Sequence, residues 1–311
     1  MLDLAETYGI RYTGLIIEDY SDLVEAPFPS NRDVQRFRYF GDMLLEAGGE
    51  LGFHGYNHMP LCLEDFDFMD MYDMYQKWKT EEDMAESLRE LKSFAGRLFS
   101  KAGFRVYVPP SNILSEKGRE VLLRELPELQ AIASTYLPGG PAYDQEFEVS
   151  KEGVVETPRI ISGYLLDDYM QLSALSELNF HYVSSHFEHP DDVLDEDRGA
   201  ELGWEVMRNR LEDYLKWLQK AGGPIRNMTG TEMAGAVQRF YYLEVERETD
   251  EEGLHLTLSK FQDEAWLLVR FNEWEPEEVT GGELTRLSDD LYLLEAKEKK
   301  IDITRKKKVE A

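Results

Sequence analysis

The chain has 311 residues, of which 42% are apolar, and this is enough to bury the core of one large or two ordinary domains. Its 62 acidic side chains outnumber 34 basic ones, which gives a formal net charge of −28 at pH 7. So acidic a surface repels phosphate groups and anionic lipid, and therefore nucleic acid is excluded as an expected partner.

The cysteine and hydropathy patterns exclude two further classes. Cys62 is the only cysteine, so an intrachain disulfide is excluded. No apolar run approaches the roughly 18 residues that a membrane-spanning helix needs, so we expect a soluble chain without membrane insertion. An upstream signal segment would direct it to the cell envelope or outside the cell, and without one it would be cytoplasmic. Composition leaves the oligomeric state open.

The first 240 residues alternate predicted helices with predicted strands. Strand, helix and strand in this order predict a right-handed βαβ unit with parallel strands. The fold class is therefore α/β, with a parallel sheet or an α/β barrel over residues 1–238. Helices are predicted at 2–8, 33–47, 80–101, 116–126, 172–178, 202–221 and 231–239, and strands at 10–17, 50–53, 104–108, 130–136 and 180–185.

The pattern changes after residue 240 to short runs with period-two alternation, separated by glycine-rich and acidic turns. Such runs predict a small antiparallel β-domain over residues 239–311. Its strands are predicted at 241–248, 254–261, 265–271, 284–287, 291–296 and 300–305.

Residues 63–79 alternate acids with methionines and aromatics. This segment is interpreted either as a lid or substrate platform over a pocket, or as a surface insertion that packs its aromatics on the body.

Two histidines follow the predicted strand 50–53 with the spacing His-x-x-x-His. Gly55 lets the chain turn tightly between His54 and His58. Active sites of α/β proteins lie at strand ends, and neutral imidazoles bind divalent metals. The pair therefore predicts a metal site, and ordinary polar loop histidines are the alternative.

A second histidine cluster, Ser-Ser-His-Phe-Glu-His-Pro-Asp-Asp, occupies residues 184–192 at the end of another predicted strand. His186 is a candidate catalytic residue, since a protonated imidazole can donate to a leaving group. His189 is a candidate metal ligand, or alternatively part of a loop cap. His181 and His255 are expected to be structural.

Residues 50–58 (Glu-Leu-Gly-Phe-His-Gly-Tyr-Asn-His) resemble the metal-binding motif of the polysaccharide deacetylase superfamily, in which both histidines bind a divalent metal, often zinc. Residues 104–112 (Phe-Arg-Val-Tyr-Val-Pro-Pro-Ser-Asn) resemble that family's Arg-Pro-Pro groove motif, although no arginine directly precedes the prolines. The resemblance covers roughly residues 1–230, and only the histidine motif is specific. The C-terminal β-domain resembles that of a bacterial group that joins such a domain to a deacetylase-like barrel.

This resemblance implies a deformed, incomplete (β/α) barrel of deacetylase type, followed by the antiparallel β-domain. It implies a metal-dependent hydrolase that removes acetyl groups from a sugar or polysaccharide. His54, His58 and His189 would hold the metal, most simply zinc, and His186 would act as general acid.

The family's first motif is a pair of aspartates, one acting as general base and the other as third metal ligand. It should precede the helix at 2–8, where this chain begins. Either the chain is truncated at its start, or Glu18 and Asp19 substitute as catalytic carboxylates at the end of the strand 10–17. A role for these two acids in a turn or helix cap is the alternative.

Five residues are predicted to contact a carbohydrate substrate through aromatic faces, amide groups or the groove motif: Tyr56, Asn57, Tyr107, Pro110 and Asn112. Two other functions stay open. One is a non-catalytic carbohydrate-binding barrel with a vestigial metal site. The other is a glycoside hydrolase, which needs two carboxylates roughly 5–10 Å apart across a cleft.

Overall fold

A computed structural model describes residues 1–67, 75–133, 147–159 and 161–306. The chain divides into two compact units, Met1–Ala234 and Gly235–Ala311. Within the described residues, no helix is both long enough and apolar enough to cross a membrane.

The first unit is a mixed α/β structure in which the early helices and strands alternate as predicted. Its helices are α1 (Leu2–Tyr8), α2 (Val34–Glu46), α3 (Glu81–Leu98), α4 (Glu116–Glu125), α5 (Asp168–Phe180), α6 (Trp204–Gly222) and α7 (Gly230–Tyr242), the last of which runs across the boundary between the units. Its strands are β1 (Thr13–Ile16), β2 (Glu50–Phe53), β3 (Val106–Tyr107), β4 (Ala131–Ala133), β5 (Glu148–Val149), β6 (Val155–Thr157), β7 (Ile161–Ser162) and β8 (His186–Phe187).

Six of these strands form one sheet in the order β1-β2-β3-β4-β6-β5, parallel except for β5. Strand β2 has a neighbour on each side, since it pairs with β1 through Ile16 and Phe53 and with β3 through Phe53 and Tyr107. Strands β7 and β8 form a separate parallel pair. In the described ranges no strand pairing joins the two sheets, so a closed barrel is not seen there.

Helix α3 shows how the sequence covers the sheet. The Thr80 hydroxyl accepts a hydrogen bond from the Asp83 backbone N–H at 3.0 Å, which caps the first turn. Buried side chains then recur at helical spacing, which gives the helix one apolar face for the core. That face comprises Met84, Leu88, Leu91 and Ala95, each fully buried.

The sequence prediction was wrong between α5 and β8. Residues 180–185 do not form a strand, because α5 continues to Phe180 and the backbone then turns through Tyr182 at a φ of 60°. Pairing with β7 begins only at His186. Strands β5, β6 and β7 were not predicted, since they are two or three residues long.

The second unit contains two antiparallel sheets, in the orders β12-β15-β10-β9 and β11-β14-β13. The period-two pattern predicted antiparallel strands here but missed the strand over residues 276–280. Side chains of both sheets share one core that includes Leu258, Leu294 and Ile301. The strands are β9 (Glu244–Thr249), β10 (Gly253–Ser259), β11 (Ala265–Arg270), β12 (Pro276–Thr280), β13 (Gly282–Arg286), β14 (Leu291–Ala296) and β15 (Lys300–Arg305).

The middle of the acidic and aromatic segment, residues 68–74, lies outside the described residues. Its end is anchored by Trp78, which is 1% exposed and donates from Nε1 to the Pro60 carbonyl at 2.9 Å.

Candidate active site

His54 follows β2 directly and is fixed by both neighbouring strands. Its backbone N–H donates to the Ile16 carbonyl of β1 at 2.9 Å. Gly55 follows with a φ of 101°, where a Cβ atom would lie 2.6 Å from the Asn57 carbonyl oxygen. Only glycine fits such a turn, which brings the chain back to His58 within four residues. Residues 53–58 form what we name the first wall of the site.

The hydrogen bonding of His54 selects one imidazole tautomer. Nδ1–H donates to the Val108 carbonyl oxygen at 2.6 Å, which leaves the Nε2 lone pair available. Burial lowers the pKa of His54 to about 3, and the nearby charges of His58, Arg159 and His189 act in the same direction. The ring is therefore neutral near pH 7, which is the state that binds a metal or accepts a proton.

His58 lies beside His54, with ring centroids 5.0 Å apart. It is flanked by Tyr20, whose ring is 6.2 Å away and within 9° of parallel, and by Tyr75 at 6.2 Å. Burial lowers the pKa of His58, His189 lowers it further, and Asp191 opposes the shift. Both imidazoles of the first wall thus favour the neutral form.

His189 belongs to the second wall, which we define as residues 186–198. Its Nδ1 accepts a hydrogen bond from Arg198 at 2.9 Å, and the same guanidinium donates to Asp192 at 2.9 Å. Asp192 is only 2% exposed, so Arg198 neutralises a buried carboxylate while it orients the imidazole. With Nδ1 accepting, neutral His189 carries its proton on Nε2, which makes Nε2 a donor.

Electrostatic contacts connect the two walls. His189 lowers the pKa of both His54 and His58, whereas Asp191 raises the pKa of His58 and of His189. Arg159 lies 3.7 Å above the Phe187 ring and lowers the pKa of His54 and His189. The structure therefore brings the predicted residues His54, His58 and His189 into one neighbourhood, together with an aspartate and two arginines.

The donor set fits a divalent metal in part. Two neutral imidazoles with an available nitrogen suit zinc, and the Val108 carbonyl is the kind of partner that orients a ligating histidine. In the parts of the chain that the structure describes, no three His, Cys, Asp or Glu side chains form a group that could hold a metal ion.

His186 lies apart from the histidine pair. Successive side chains of a strand point to opposite faces, and Phe187 faces His189 with ring centroids 4.3 Å apart. The His186 ring instead packs against Tyr214 at 5.6 Å, and its Nε2–H donates to the Gly163 carbonyl at 2.9 Å. The structure thus brings His189, and not His186, towards the first wall.

Glu18 and Asp19, the two predicted catalytic carboxylates, lie just after β1 and have different surroundings. Glu18 is 1% exposed, accepts the Asn31 backbone N–H at 3.0 Å and lies beside Glu90. Burial raises the pKa of Glu18 to about 7, which makes it a protonated or shared carboxyl inside the protein. Asp19 lies at the first wall, since its N–H donates to the Tyr56 carbonyl at 2.8 Å.

Most of the predicted substrate contacts are inside the core. Tyr56, Asn57 and Tyr107 are each 1% exposed or less, and the Tyr56 hydroxyl donates to the Pro29 carbonyl at 2.7 Å. Pro110 is buried, and Asn112 is partly buried at a φ of 61°. Their physical role is packing and turn formation, which leaves Tyr56, Asn57 and Tyr107 little surface to offer a sugar.

The sequence analysis missed Tyr20, Asp191 and Arg198 as members of the site. Asp191 follows His189 by two residues, so its place in the loop was a usable signal. Tyr20 gave no signal, because it contacts His58, which is far away in the chain. Arg198 gave none, because its contact with His189 depends on a turn that lacks regular periodicity.

Comparison with known proteins gives one match. The profile of a family described as "Uncharacterised protein conserved in bacteria (DUF2194)" matches residues 1–293. No curated protein and no solved structure matches the chain. Because the match extends over most of the 311 residues, the chain belongs to the DUF2194 family of bacterial proteins.

Proposed function

We propose that the protein is a metal-dependent hydrolase that removes acetyl groups from a carbohydrate. The observation that carries the proposal is His54, held neutral by burial with Nδ1–H on Val108 and Nε2 available beside His58. The resemblance of residues 50–58 to the deacetylase motif supports it. In this proposal the six-stranded sheet and the β7–β8 pair are parts of a deformed deacetylase-type barrel.

His54 and His58 would hold the metal, and zinc is the ion that suits two imidazoles best. A bound divalent cation would supply Lewis acidity towards the acyl carbonyl. The fixed tautomer of His54 means that its ring needs no rearrangement to act as a ligand.

The general-acid role that the sequence analysis gave to His186 is not transferred to His189, which we assign instead as a hydrogen-bond donor to the reacting carbonyl. Arg198 occupies Nδ1 of His189, so the ring is neutral and its Nε2–H is the group that can donate a hydrogen bond to an oxyanion at the acyl carbon. Asp191 interacts with both His58 and His189, and we assign it the acceptance of a proton from the attacking water and the return of that proton to the departing amine or alcohol. Asp19, at the first wall, is the alternative acceptor.

Acetate release tests this function. Full-length protein, stripped with a chelator and reloaded with Zn²⁺, is incubated with N-acetylglucosamine oligomers and with acetylated xylan. We expect acetate release that is lost on stripping, restored by metal and at least about 100-fold slower in His189→Ala, the size of a lost hydrogen-bond donor to the oxyanion. His255→Gln, in the second unit, is the matched control. Glycosidic cleavage that survives chelation would instead indicate a glycoside hydrolase.

A non-catalytic carbohydrate-binding protein is the second candidate. It is favoured by the fact that the described residues contain no three-ligand group for a metal. Sugar binding without acetate release, at every metal tested, would select it.

A further inference from the structure

Tyr20 is an exposed aromatic residue at the edge of the candidate site. Its side chain is 78% exposed, and its ring lies within 9° of parallel to the His58 ring, with the two centroids 6.2 Å apart. Its hydroxyl interacts electrostatically with Asp191 and Tyr75. One large ring face is thus presented to solvent beside the two histidines.

Exposed tyrosines are common on protein surfaces, and exposure alone indicates nothing. Tyr39 on α2 illustrates this, since it is 63% exposed and forms an edge-to-face pair with the neighbouring Phe40. Tyr20 differs because it extends a row of rings, Tyr20, His58 and Tyr75, that borders the imidazole with the available Nε2.

The backbone that carries Tyr20 is fixed on both sides. The Asp19 N–H donates to the Tyr56 carbonyl at 2.8 Å, and the Asn31 side-chain amide donates to the Glu18 carbonyl at 2.6 Å. The Asn57 amide, fully buried, donates to the Leu23 carbonyl. A ring on so constrained a loop loses little conformational entropy when a ligand stacks on it.

We infer that Tyr20 is a stacking platform for a pyranose ring of a neutral glycan, next to the ring whose acetyl group lies at His54 and His58. This inference rests on the proposed function. The apolar C–H face of a sugar covers exposed aromatic surface, and the phenol hydroxyl is not needed for this contact. The substrate in this proposal is an oligosaccharide or polysaccharide, since one ring stacks on Tyr20 and its neighbour carries the acetyl group.

The carboxylates beside Tyr20 point to an uncharged glycan, because Arg198 of the second wall is already paired with the buried Asp192. Asp19 and Asp191 lie next to Tyr20, and the chain carries a net charge of −28. A uronate or a sulfated sugar would place like charges within the screening distance of about 8 Å at physiological salt. Neutral hexoses or pentoses meet no such repulsion.

Binding of neutral hexasaccharides tests the inference without requiring turnover. Isothermal titration with hexamers of N-acetylglucosamine, glucose and xylose is carried out on chelator-treated full-length wild type, Tyr20→Ala, Tyr20→Phe and the control Tyr39→Ala. We expect the wild type to bind at least one hexamer. Tyr20→Ala should bind it about tenfold more weakly, as expected for the loss of one stacked ring. Tyr20→Phe and Tyr39→Ala should bind it with wild-type affinity. On acetylated hexamer, Tyr20→Ala should raise KM with little change in kcat.

Failure of the inference and failure of the proposed function are distinguishable. Equal affinity of wild type and Tyr20→Ala, absence of binding to all three hexamers, or tighter binding of a galacturonate hexamer would overturn the stacking platform. Loss of acetate release with intact, Tyr20-dependent hexamer binding would overturn only the hydrolase.

Discussion

The two walls of the site are held in place by different forces. In the first wall, residues 53–57 are all buried, and backbone hydrogen bonds to β1 and β3 fix them. In the second wall, residues 186–191 are half-buried or exposed, and the Arg198–Asp192 ion pair orients His189. The first wall therefore depends on the apolar core, whereas the second depends on a few charges that salt, pH or a single substitution can disturb.

The largest expected effect comes from the core beneath the first wall. Phe53 is fully buried and stacks on Phe104 at 4.9 Å. Phe53→Ala leaves a cavity, and we expect it to lower the free energy of unfolding by about 3–5 kcal/mol in denaturant titrations. A loss below about 1 kcal/mol would mean that burial does not hold this wall.

Glu18 lies under the same wall and predicts a pH dependence. Its pKa is raised to about 7 in the folded protein from an ordinary value of 4.5. The unfolded chain therefore releases this proton first, and Glu18 costs stability progressively as pH rises from about 4.5 to 7. Glu18→Gln should match wild type near pH 4 and be more stable at pH 8 by on the order of 3 kcal/mol.

The control for Glu18 is an exposed acid with a pKa shift in the opposite direction. This control is Glu64, whose pKa is set mainly by Lys79 and not by burial, and is therefore lowered. Glu64→Gln should not gain stability at pH 8. Parallel stability curves for wild type and Glu18→Gln across pH 4–8 would contradict the buried carboxyl.

The second wall should be sensitive to one charge. Arg198→Met leaves Asp192 buried without its cation, and we expect it to lower the free energy of unfolding by about 1–2 kcal/mol. This is less than for a fully buried ion pair, because Arg198 is half-exposed. The pKa of His189, which Arg198 lowers after burial, should rise in an NMR titration. Lys79→Met, which removes an exposed ion pair, should change neither quantity.

His255 should have the smallest effect on stability, and its pKa is shifted in the opposite direction to that of His54. Asp302 and then Asp250 raise the pKa of His255, whereas burial lowers that of His54. The stabilisation from His255 is fully present below its unfolded pKa of about 6.5 and disappears as pH rises through the higher folded pKa. His255→Gln should therefore lower the melting temperature slightly at pH 5.5 and not at pH 9, and an equal change at both would contradict the two ion pairs.

The strand and turn of the first wall could be predicted from the sequence, whereas the backbone before the second wall could not, for a physical reason. Strand β2 and His54 follow from a local pattern of apolar residues, a glycine and two histidines. Residues 180–185 have the composition of a strand, yet strand formation depends on a partner, and β7 pairs only with His186 and Phe187.

Exposure was equally difficult to predict. Tyr56 and Tyr107 were chosen as sugar contacts because they are aromatic and near the motif, but both are buried. Tyr20 is exposed at the site because polar contacts from distant residues hold its loop, and no sequence pattern contains those contacts.

Zinc binding tests the central claim most directly, namely that His54 and His58 form a neutral pair ready to bind a metal. In a competition titration with a chromophoric chelator at pH 7.5, the full-length wild type should bind one Zn²⁺ per chain. His54→Ala and His58→Ala should each bind it at least about 100-fold more weakly, since a lost ligand exceeds the usual cost of a lost supporting residue. His255→Gln should bind as wild type does. Equal zinc affinity of wild type, His54→Ala and His58→Ala would contradict the account.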